Sequence, residues 1–250
     1  MTRSLLVTGG SRGIGAATCR LAARHGYDVA INYSGNAAAA EAVAADVRAA
    51  GRRAVTIQAD VAESGQVRAM FQRVDAELGP LDAFFNNAGI LFAGTRFMDI
   101  GEAQLDRMIA VNFKGAYIAA QEAARRLARS RGGRGGAIVN MSSMLAKLGG
   151  GVENNDYGAA KAAIEAMTIG MAKELAGEGV RVNAVRPGLI DTEIHAAAGD
   201  AGRVGRLMGS VPLGRAGTAE DVAEAVLWLL SDKAAYTTGT ILDVAGGRGI

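Results

Sequence analysis

Short apolar runs alternate with longer helical patterns from one end of the chain to the other, and this alternation predicts an α/β fold with a parallel sheet. The chain has 250 residues, which is enough to bury a substantial core. No composition shift, long linker or internal repeat divides it. We therefore expect a single domain, residues 1–250, built on a doubly wound sheet of about seven strands with helices on both faces.

The apolar runs place the strands near residues 3–7, 28–33, 53–59, 81–86, 136–141, 180–186 and 240–244. The helical patterns lie near residues 13–25, 36–50, 64–78, 101–130, 157–176 and 218–231. We expect the helix near 101–130 to contain a break. The three prolines, Pro80, Pro187 and Pro212, fall outside these helices, as the missing N–H of proline requires.

The composition argues against several classes of partner. Lys and Arg total 27 against 25 Asp and Glu, whereas a nucleic-acid surface would need clustered basic residues. Neither an apolar run of about 18 residues nor a signal-peptide layout occurs, so we expect no membrane association. Cys19 is the only cysteine, which excludes an intrachain disulfide and favours a reducing, cytoplasmic location. Its apolar neighbours predict a buried structural thiol.

The first strand leads into a glycine-rich turn, Thr8-Gly9-Gly10-Ser11-Arg12-Gly13-Ile14-Gly15, that opens the first helix. Glycines let the backbone approach a pyrophosphate, and the helix N-terminus offers free N–H groups. The spacing of Gly9, Gly13 and Gly15 is wider than in the generic G-x-G-x-x-G pattern. The turn predicts a phosphate-binding site of the Rossmann type, and a glycine turn without a ligand is the alternative.

A tyrosine and a lysine four residues apart, Tyr157 and Lys161, begin a later helix, and Ser142 and Ser143 end the strand before it. This spacing places the ammonium on the same helix face as the phenol, close to any ligand there. A nearby cation lowers the pKa of a phenol, as acid–base chemistry at neutral pH needs. A strand-end serine could donate to a substrate oxygen where negative charge develops. A purely structural Tyr/Lys pair is the alternative.

With three further segments, these motifs resemble the short-chain dehydrogenase/reductases along essentially the whole chain, including 3-oxoacyl carrier-protein reductase-like and glucose dehydrogenase-like members. In the family's order, the matching segments are the cofactor turn Thr8-Gly9-x-x-x-Gly13-x-Gly15, the strand-end motif Asn86-Asn87-Ala88-Gly89, the helix-interior Asn112, the active-site pair Tyr157-x-x-x-Lys161, and the nicotinamide-holding segment Pro187-Gly188 with Thr192.

The resemblance implies a role for each of four catalytic residues. Tyr157 would exchange a proton with the substrate oxygen, and Ser143 would orient that oxygen. Lys161 would bind the nicotinamide ribose hydroxyls and lower the pKa of Tyr157. Asn112 would hold a water that links Lys161 to solvent.

Together with the glycine turn and the end of the second strand, the resemblance also implies a cofactor site. Its residues are Gly9, Ser11, Arg12, Gly13, Ile14, Gly15, Asn32, Tyr33, Ser34, Asp60, Val61, Asn87, Ala88, Gly89, Tyr157, Lys161, Pro187, Gly188, Ile190 and Thr192. No metal is expected, because His25 and His195 have no ligand partners at metal-site spacing.

The spacing between serine and tyrosine departs from the family. Many members place the serine thirteen positions before the tyrosine, but here Met144 stands thirteen positions before Tyr157 and Ser143 stands fourteen before it. We therefore expect one extra residue in the glycine-containing loop 147–156, which we also expect to line the substrate mouth. Ser143 is the assigned residue, and Ser142 is the second choice.

The choice of cofactor depends on the end of the second strand. An NAD site needs a carboxylate there for the ribose 2′-hydroxyl, but the strand ends in Asn32, Tyr33 and Ser34. Arg12 can instead approach a 2′-phosphate, although a solvated Arg12 is the alternative. Asp60 resembles the family's adenine-contacting acid. We expect NADP(H) to be preferred, with NAD(H) as the second cofactor, and an Asn32→Asp exchange to reverse the preference.

Two further expectations concern motion and assembly. Residues 190–212 are rich in Ala and Gly and follow a strand end, which predicts a mobile substrate lid; a surface insertion is the alternative. The apolar faces of the helices near 101–130 and 157–176, together with the family's habit, predict a homo-oligomer, most simply a tetramer.

The sequence favours an NADP(H)-dependent enzyme that interconverts a carbonyl and a secondary alcohol in a small molecule. Sugar or polyol oxidation with NAD(P) and 3-oxoacyl carrier-protein reduction stay open. A carrier-protein partner would favour a basic patch beside the site, with Arg96, Arg203 and Arg206 as candidates. A catalytically silent dinucleotide-binding protein is the alternative from another class.

Overall fold

A seven-stranded, entirely parallel sheet organises the computed structural model, which describes residues 3–249 without the side chain of His195. The strand order is β3-β2-β1-β4-β5-β6-β7. The strands are β1 (Arg3–Val7), β2 (Tyr27–Tyr33), β3 (Ala54–Gln58), β4 (Ala83–Asn86), β5 (Gly136–Met141), β6 (Val180–Pro187) and β7 (Ile241–Val244). The predicted doubly wound sheet is confirmed.

Helices connect the strands and cover both faces of the sheet. They are α1 (Gly13–Arg24), α2 (Ala37–Ala49), α3 (Ser64–Leu78), α4 (Glu102–Ile109), α5 (Ala116–Leu127), α6 (Met144–Lys147), α7 (Asn155–Leu175), α8 (Ile194–Ala197), α9 (Arg203–Leu207) and α10 (Ala219–Leu230). Short 3-10 turns lie at Phe97–Asp99, Arg129–Arg131, Ala176–Glu178, Met208–Ser210 and Asp232–Ala234.

The strands are apolar throughout because both faces of the sheet are covered. In β1, Leu5 and Val7 pack with α1, α2 and α10, whereas Leu6 packs on the opposite face with α3, α5 and α7. The alternation follows from the two-residue period of a strand. Cys19 is buried in the first of these clusters, as predicted.

The expected break near 101–130 is a change of helix type. Between α4 and α5 the chain forms a π-helical turn, Ala110–Gly115, so the helix continues without an interruption. Gly115 lies against the loop after β3, where a Cβ would collide with the Val61 carbonyl. The close approach requires glycine, and the π turn carries Asn112 toward the centre of the molecule.

The strand order reverses next to β1, which pairs with β2 on one side and β4 on the other. In open parallel sheets, ligands bind at this switch point, beyond the carboxyl ends of the strands. The Thr8 hydroxyl joins these two ends by accepting hydrogen bonds from the Asn87 and Ala88 amides at 2.9 and 3.0 Å. The glycine turn is thereby fixed against the end of β4.

Candidate active site

A cavity of about 760 Å³ opens at the carboxyl ends of the strands, within the size range of ligand pockets. All the predicted cofactor residues line it, as do Ser143, Tyr157 and Lys161; Asn112 lies behind its wall. The sequence motifs, which are spread from Thr8 to Thr192, therefore meet in one place. The lining also includes Arg12, Arg20, Arg107, Arg203 and Arg248, so that with Lys161 six cationic side chains face only two acidic ones, Asp60 and Glu193.

The glycine turn presents an uncapped helix end to this cavity. Arg12 precedes α1 without a side-chain capping bond, and the first helical hydrogen bond runs from the Ala16 amide to the Arg12 carbonyl at 3.1 Å. The amides of residues 13–15 thus come before the hydrogen-bond ladder of the helix. Gly9 and Gly13 have φ values of 62° and 50°, which favour glycine. This arrangement can bind a phosphate.

The side chain of Asn32 connects the glycine turn to the end of β3 and the residue that follows it. Its Oδ1 accepts from the Gly9 amide at 3.1 Å, and its Nδ2 donates to the carbonyls of Ile57 and Ala59 at 3.2 and 3.0 Å. The side chain is 2% exposed. These bonds correct the assignment of Asn32 as the residue that faces the ribose, because its amide group is fully used by the backbone. Tyr33, the last residue of β2, is half-buried and lines the cavity.

Asp60 marks the same end of the cavity and is held in place by its neighbours. Its Oδ1 accepts from the Ala62 amide at 2.9 Å, and its Oδ2 forms an ion pair with Arg107 at 2.9 Å. Burial acts to raise the pKa of Asp60, but these two interactions outweigh it and hold the pKa below its usual range. The carboxylate is thus ionised and neutralised by Arg107.

Tyr157 and Ser143 both lie on the wall of the cavity. Tyr157 lies in the first turn of α7 and Ser143 precedes α6, and the Ser143 hydroxyl lies close enough to the phenol to act on its pKa. Burial raises the pKa of Tyr157 to about 12, although the Ser143 hydroxyl and the charge of Arg203 act to lower it. The phenol is therefore protonated at neutral pH.

Lys161 lies one turn further along α7 and is 2% exposed. Its Nζ donates to the Met141 carbonyl at 2.9 Å and lies 5.6 Å from the centre of the Tyr157 ring. Burial lowers the pKa of Lys161 to about 8. Burial is the largest influence on the pKa of Tyr157 and raises it; the lowering expected from Lys161 stays a prediction.

Asn112 is fully buried, and its amide is bound to the backbone of one residue. Its Nδ2 donates to the Ile90 carbonyl at 2.8 Å, and its Oδ1 accepts from the Ile90 amide at 2.9 Å. Gly89, next to Ile90, has no room for a side chain, since a Cβ would lie 2.7 Å from Asn112 Oδ1. The side chain thus positions the cavity loop at Gly89 and Ile90, and the water-holding role expected of Asn112 stays a prediction.

The two candidate serines have different surroundings. Ser142 is buried and donates to Glu165 Oε1 at 2.5 Å, whereas Ser143 lies close enough to Tyr157 to act on the pKa of its phenol. None of the residues 147–156 lines the cavity, and the expected place of this loop at the substrate mouth stays a prediction. The loop packs on the segment near Thr95, whose amide donates to the Glu153 carbonyl at 2.8 Å.

Several residues of the cavity carry no clear signal in the sequence. Met144 and Leu145 follow the serines and are buried, so their apolar character was the available signal. Arg248 lies between glycines in a segment without periodicity, and only the folded chain brings it to the cavity. Of the three candidate arginines for a basic patch, Arg203 lines the cavity, whereas Arg96 and Arg206 are exposed outside it.

Two negative findings apply to the part of the chain that the structure describes. No group of three or more His, Cys, Asp and Glu side chains is arranged to hold a metal ion there; the His195 side chain lies outside the described residues. None of the helices in that part is both long and apolar enough to span a membrane.

The chain is similar to known oxidoreductases over nearly its whole length. A family model described as enoyl-(acyl carrier protein) reductase matches residues 9–248. An uncharacterized oxidoreductase of Escherichia coli, YgfF, is 48% identical over 97% of this chain and 98% of its own. The 3-oxoacyl-[acyl-carrier-protein] reductase FabG of Staphylococcus aureus is 40% identical over 99% and 98%. An L-rhamnose 1-dehydrogenase (NAD(P)(+)) of a Sphingomonas species is 37% identical over 98% and 95%.

A solved short-chain type dehydrogenase/reductase from Mycobacterium marinum has the same fold, with a TM-score of 0.91 and 32% identity over 98% of this chain and 95% of that one. The fold, the order of the motifs and the similar proteins all indicate the same family. The chain belongs to the short-chain dehydrogenase/reductase family, whose members are oxidoreductases that act on CH–OH and carbonyl groups with NAD(P)(H).

Proposed function

We propose that this protein is an NADP(H)-dependent oxidoreductase that interconverts a carbonyl and a secondary alcohol, with Tyr157 as the proton donor and acceptor. The observation that carries the proposal is that Tyr157 and Ser143 lie together on the wall of the cavity that also contains the glycine turn. Lys161, one helical turn away, lines the same wall.

The residues present fit a dinucleotide. The uncapped amides of residues 13–15 suit a pyrophosphate, and glycine at positions 9 and 13 keeps side chains out of its way. The cavity continues from this turn past Ala88 and Gly89 to Tyr157, which gives room for an extended ligand. We assign Pro187, Ile190 and Thr192, on the β6 side of the cavity, to the nicotinamide end.

The bound nicotinamide supplies a hydride in the reductive direction and accepts one in the oxidative direction. During reduction, Tyr157 gives its phenolic proton to the substrate oxygen as the carbonyl carbon gains the hydride. Ser143 donates a hydrogen bond to the same oxygen and stabilises the charge that develops on it. Lys161 binds ribose hydroxyl groups, and its ammonium stabilises the phenolate that Tyr157 leaves behind.

The preference for NADP(H) rests on charge. Among the residues that line the cavity, no carboxylate stands at the end of β2, and Asp60 is neutralised by Arg107. Arg12 is exposed at the cavity and, within the described chain, has neither a salt bridge nor a side-chain hydrogen bond. Its guanidinium can therefore form charge-assisted bonds to a 2′-phosphate. NAD(H) is the second cofactor.

Three further parts belong to the same proposal. Residues 190–212, which contain α8 and α9, act as a substrate lid on the single domain 1–250, since Thr192 and Arg203 line the cavity. The chain forms a homotetramer through α4, α5 and α7. The location is cytoplasmic, in agreement with a single, buried, free cysteine.

Two relatives keep other substrates under consideration. The FabG relative acts on 3-oxoacyl carrier protein by its name, and the rhamnose dehydrogenase on a sugar. A catalytically silent role is disfavoured, because a protein that only binds a dinucleotide would not need the combination of Ser143, Tyr157 and Lys161.

The test is a screen of ketones, sugars and acyl thioesters with reduced and oxidised forms of both cofactors, followed by nicotinamide absorbance. The expected result is cofactor turnover with at least one carbonyl or alcohol, faster with the phosphorylated cofactor. Binding of cofactor without turnover of any compound would instead support a catalytically silent dinucleotide-binding protein.

A further inference from the structure

The cavity beside Tyr157 contains two arginines that the proposed hydride transfer does not use. Arg203 lies in α9 and Arg248 in the segment after β7. The charge of Arg203 acts on the Tyr157 phenol. The chain after Arg248 reaches Met144, since a Cβ on Gly249 would lie 2.8 Å from the Met144 sulfur. Both arginines therefore flank the place where a substrate carbonyl would meet the phenol.

These two guanidinium groups have little negative charge around them. The Arg203 side chain is 11% exposed, and its nearest carboxylate oxygen, on Asp200, is 4.0 Å away. Arg206 binds both oxygens of that carboxylate, at 2.7 and 2.6 Å. Arg248 has no ion-pair partner within residues 3–249. Within residues 3–249, Asp200 is thus the one carboxylate within 4.0 Å of either arginine, and Arg206 already binds it.

Repulsion between the two arginines makes the arrangement costly without a ligand. Burial and the charge of Arg203 both lower the pKa of Arg248. A guanidinium removed from water is stabilised by a paired anion, and its planar fork matches the two oxygens of a carboxylate or phosphate. Apolar residues, Leu91, Met144 and Leu189, complete this part of the cavity and strengthen such an interaction by excluding water.

We propose that Arg203 and Arg248 bind an oxoanion, a carboxylate or a phosphate, that is part of the substrate. The substrate class is then an anionic carbonyl compound, or the corresponding hydroxy compound, whose charged group lies within a few bonds of the reacting carbon. The inference rests on the proposed function, because it names the substrate of the same site. The glycine turn has its own amides for the cofactor phosphates, which leaves these arginines for the substrate.

The test compares matched pairs of compounds that differ only in charge: an oxo acid with its methyl ester, and a hexose with its phosphate ester. We expect kcat/KM to favour the charged member of at least one pair by about tenfold or more, as for a hydrogen-bonded ion pair. The first pair reports a carboxylate and the second a phosphate. In Arg203→Gln and Arg248→Gln the ratio within the pair should fall toward one.

Arg96→Gln is the matched control, since Arg96 is exposed outside the cavity and away from Asp200 in the chain. This variant should keep the wild-type ratio. Equal kcat/KM for both members of each pair, or a preference that survives the Arg203→Gln, Arg248→Gln double variant, would overturn the inference. A loss of cofactor affinity in Arg203→Gln that accounts for the whole effect would assign the arginine to the cofactor instead.

Calorimetric titration of the charged compounds without cofactor separates this inference from the proposed function. We expect binding that is weakened about tenfold or more in Arg203→Gln. If no compound is turned over but this binding is found, the proposed function fails and the anion site stands. If neutral carbonyls are turned over and the charged compounds have no advantage, the proposed function stands and the anion site fails.

Discussion

The side-chain oxygen of Asn32 accepts a hydrogen bond from the Gly9 amide at 3.1 Å, which fixes the end of β2 to the glycine turn. The same side chain donates to the Ile57 and Ala59 carbonyls. An Asn32→Asp exchange would place a buried carboxylate against these two carbonyl oxygens. We expect it to lower the free energy of unfolding by about 2–4 kcal/mol, measured by denaturant titration, and not to reverse cofactor preference.

We expect Tyr33, the next residue of β2, to influence cofactor choice, because it lines the cavity. A carboxylate in Tyr33→Asp should repel a 2′-phosphate and move kcat/KM toward NAD(H) by about tenfold or more, whereas Tyr33→Asn, its neutral match, should not. Arg12→Ala should weaken NADP(H) alone. A wild-type enzyme that prefers NAD(H) would contradict the charge argument.

Tyr157→Phe should remove turnover by roughly 10²-fold or more and leave cofactor affinity within a few-fold, because only the proton donor is lost. Ser143→Ala should also reduce kcat, since the oxygen that it orients loses a donor. Ser142→Ala is the matched control: its hydroxyl bonds Glu165, away from the phenol, so kcat should change far less. Substantial turnover in the Phe variant would refute the role of Tyr157.

Lys161 should make cofactor binding dependent on pH. Burial lowers the pKa of Lys161 to about 8, so the ammonium is present below this pH and lost as the pH rises through it. Reduced-cofactor affinity, followed by fluorescence from pH 7 to roughly 9.5, should therefore weaken above about 8. Lys161→Ala should bind more weakly at pH 7 and show no such loss. An equal pH dependence in this variant would assign the titration to another group.

The apolar faces of α4, α5 and α7 predict the assembly. Leu105, Ile109, Tyr117 and Ile169 are each about two-fifths exposed although they are large and apolar. Light scattering should give about four times the 25.6 kDa of one chain. Ile109→Glu with Ile169→Glu should lower this mass, and Met98→Glu, an exposed change outside these helices, should not. A monomer at micromolar concentration would reject the proposal.

Local patterns predicted the strands, the main helices and the glycine turn because each depends on periodicity or on the conformational freedom of glycine. Asn32 was misplaced because its bonds cross from β2 to the end of β3, a contact that no local pattern contains. Arg248 was missed for the same reason, since the chain reaches the cavity through packing near Met144. Helices α6, α8 and α9, of four or five residues, are too short to show a period.

Asn112 is the remaining catalytic assignment, and its bonds to Ile90 define how it can be tested. Asn112→Ala removes both partners of a buried backbone amide and carbonyl, so we expect a loss of about 2–4 kcal/mol in the free energy of unfolding. The loop at Gly89 lines the cavity, and its displacement should raise KM for the cofactor. If the side chain acted only by holding a water for proton transfer, kcat alone would fall and the unfolding curve would be unchanged. Denaturant titration, together with KM and kcat of the same variant, decides between these two roles.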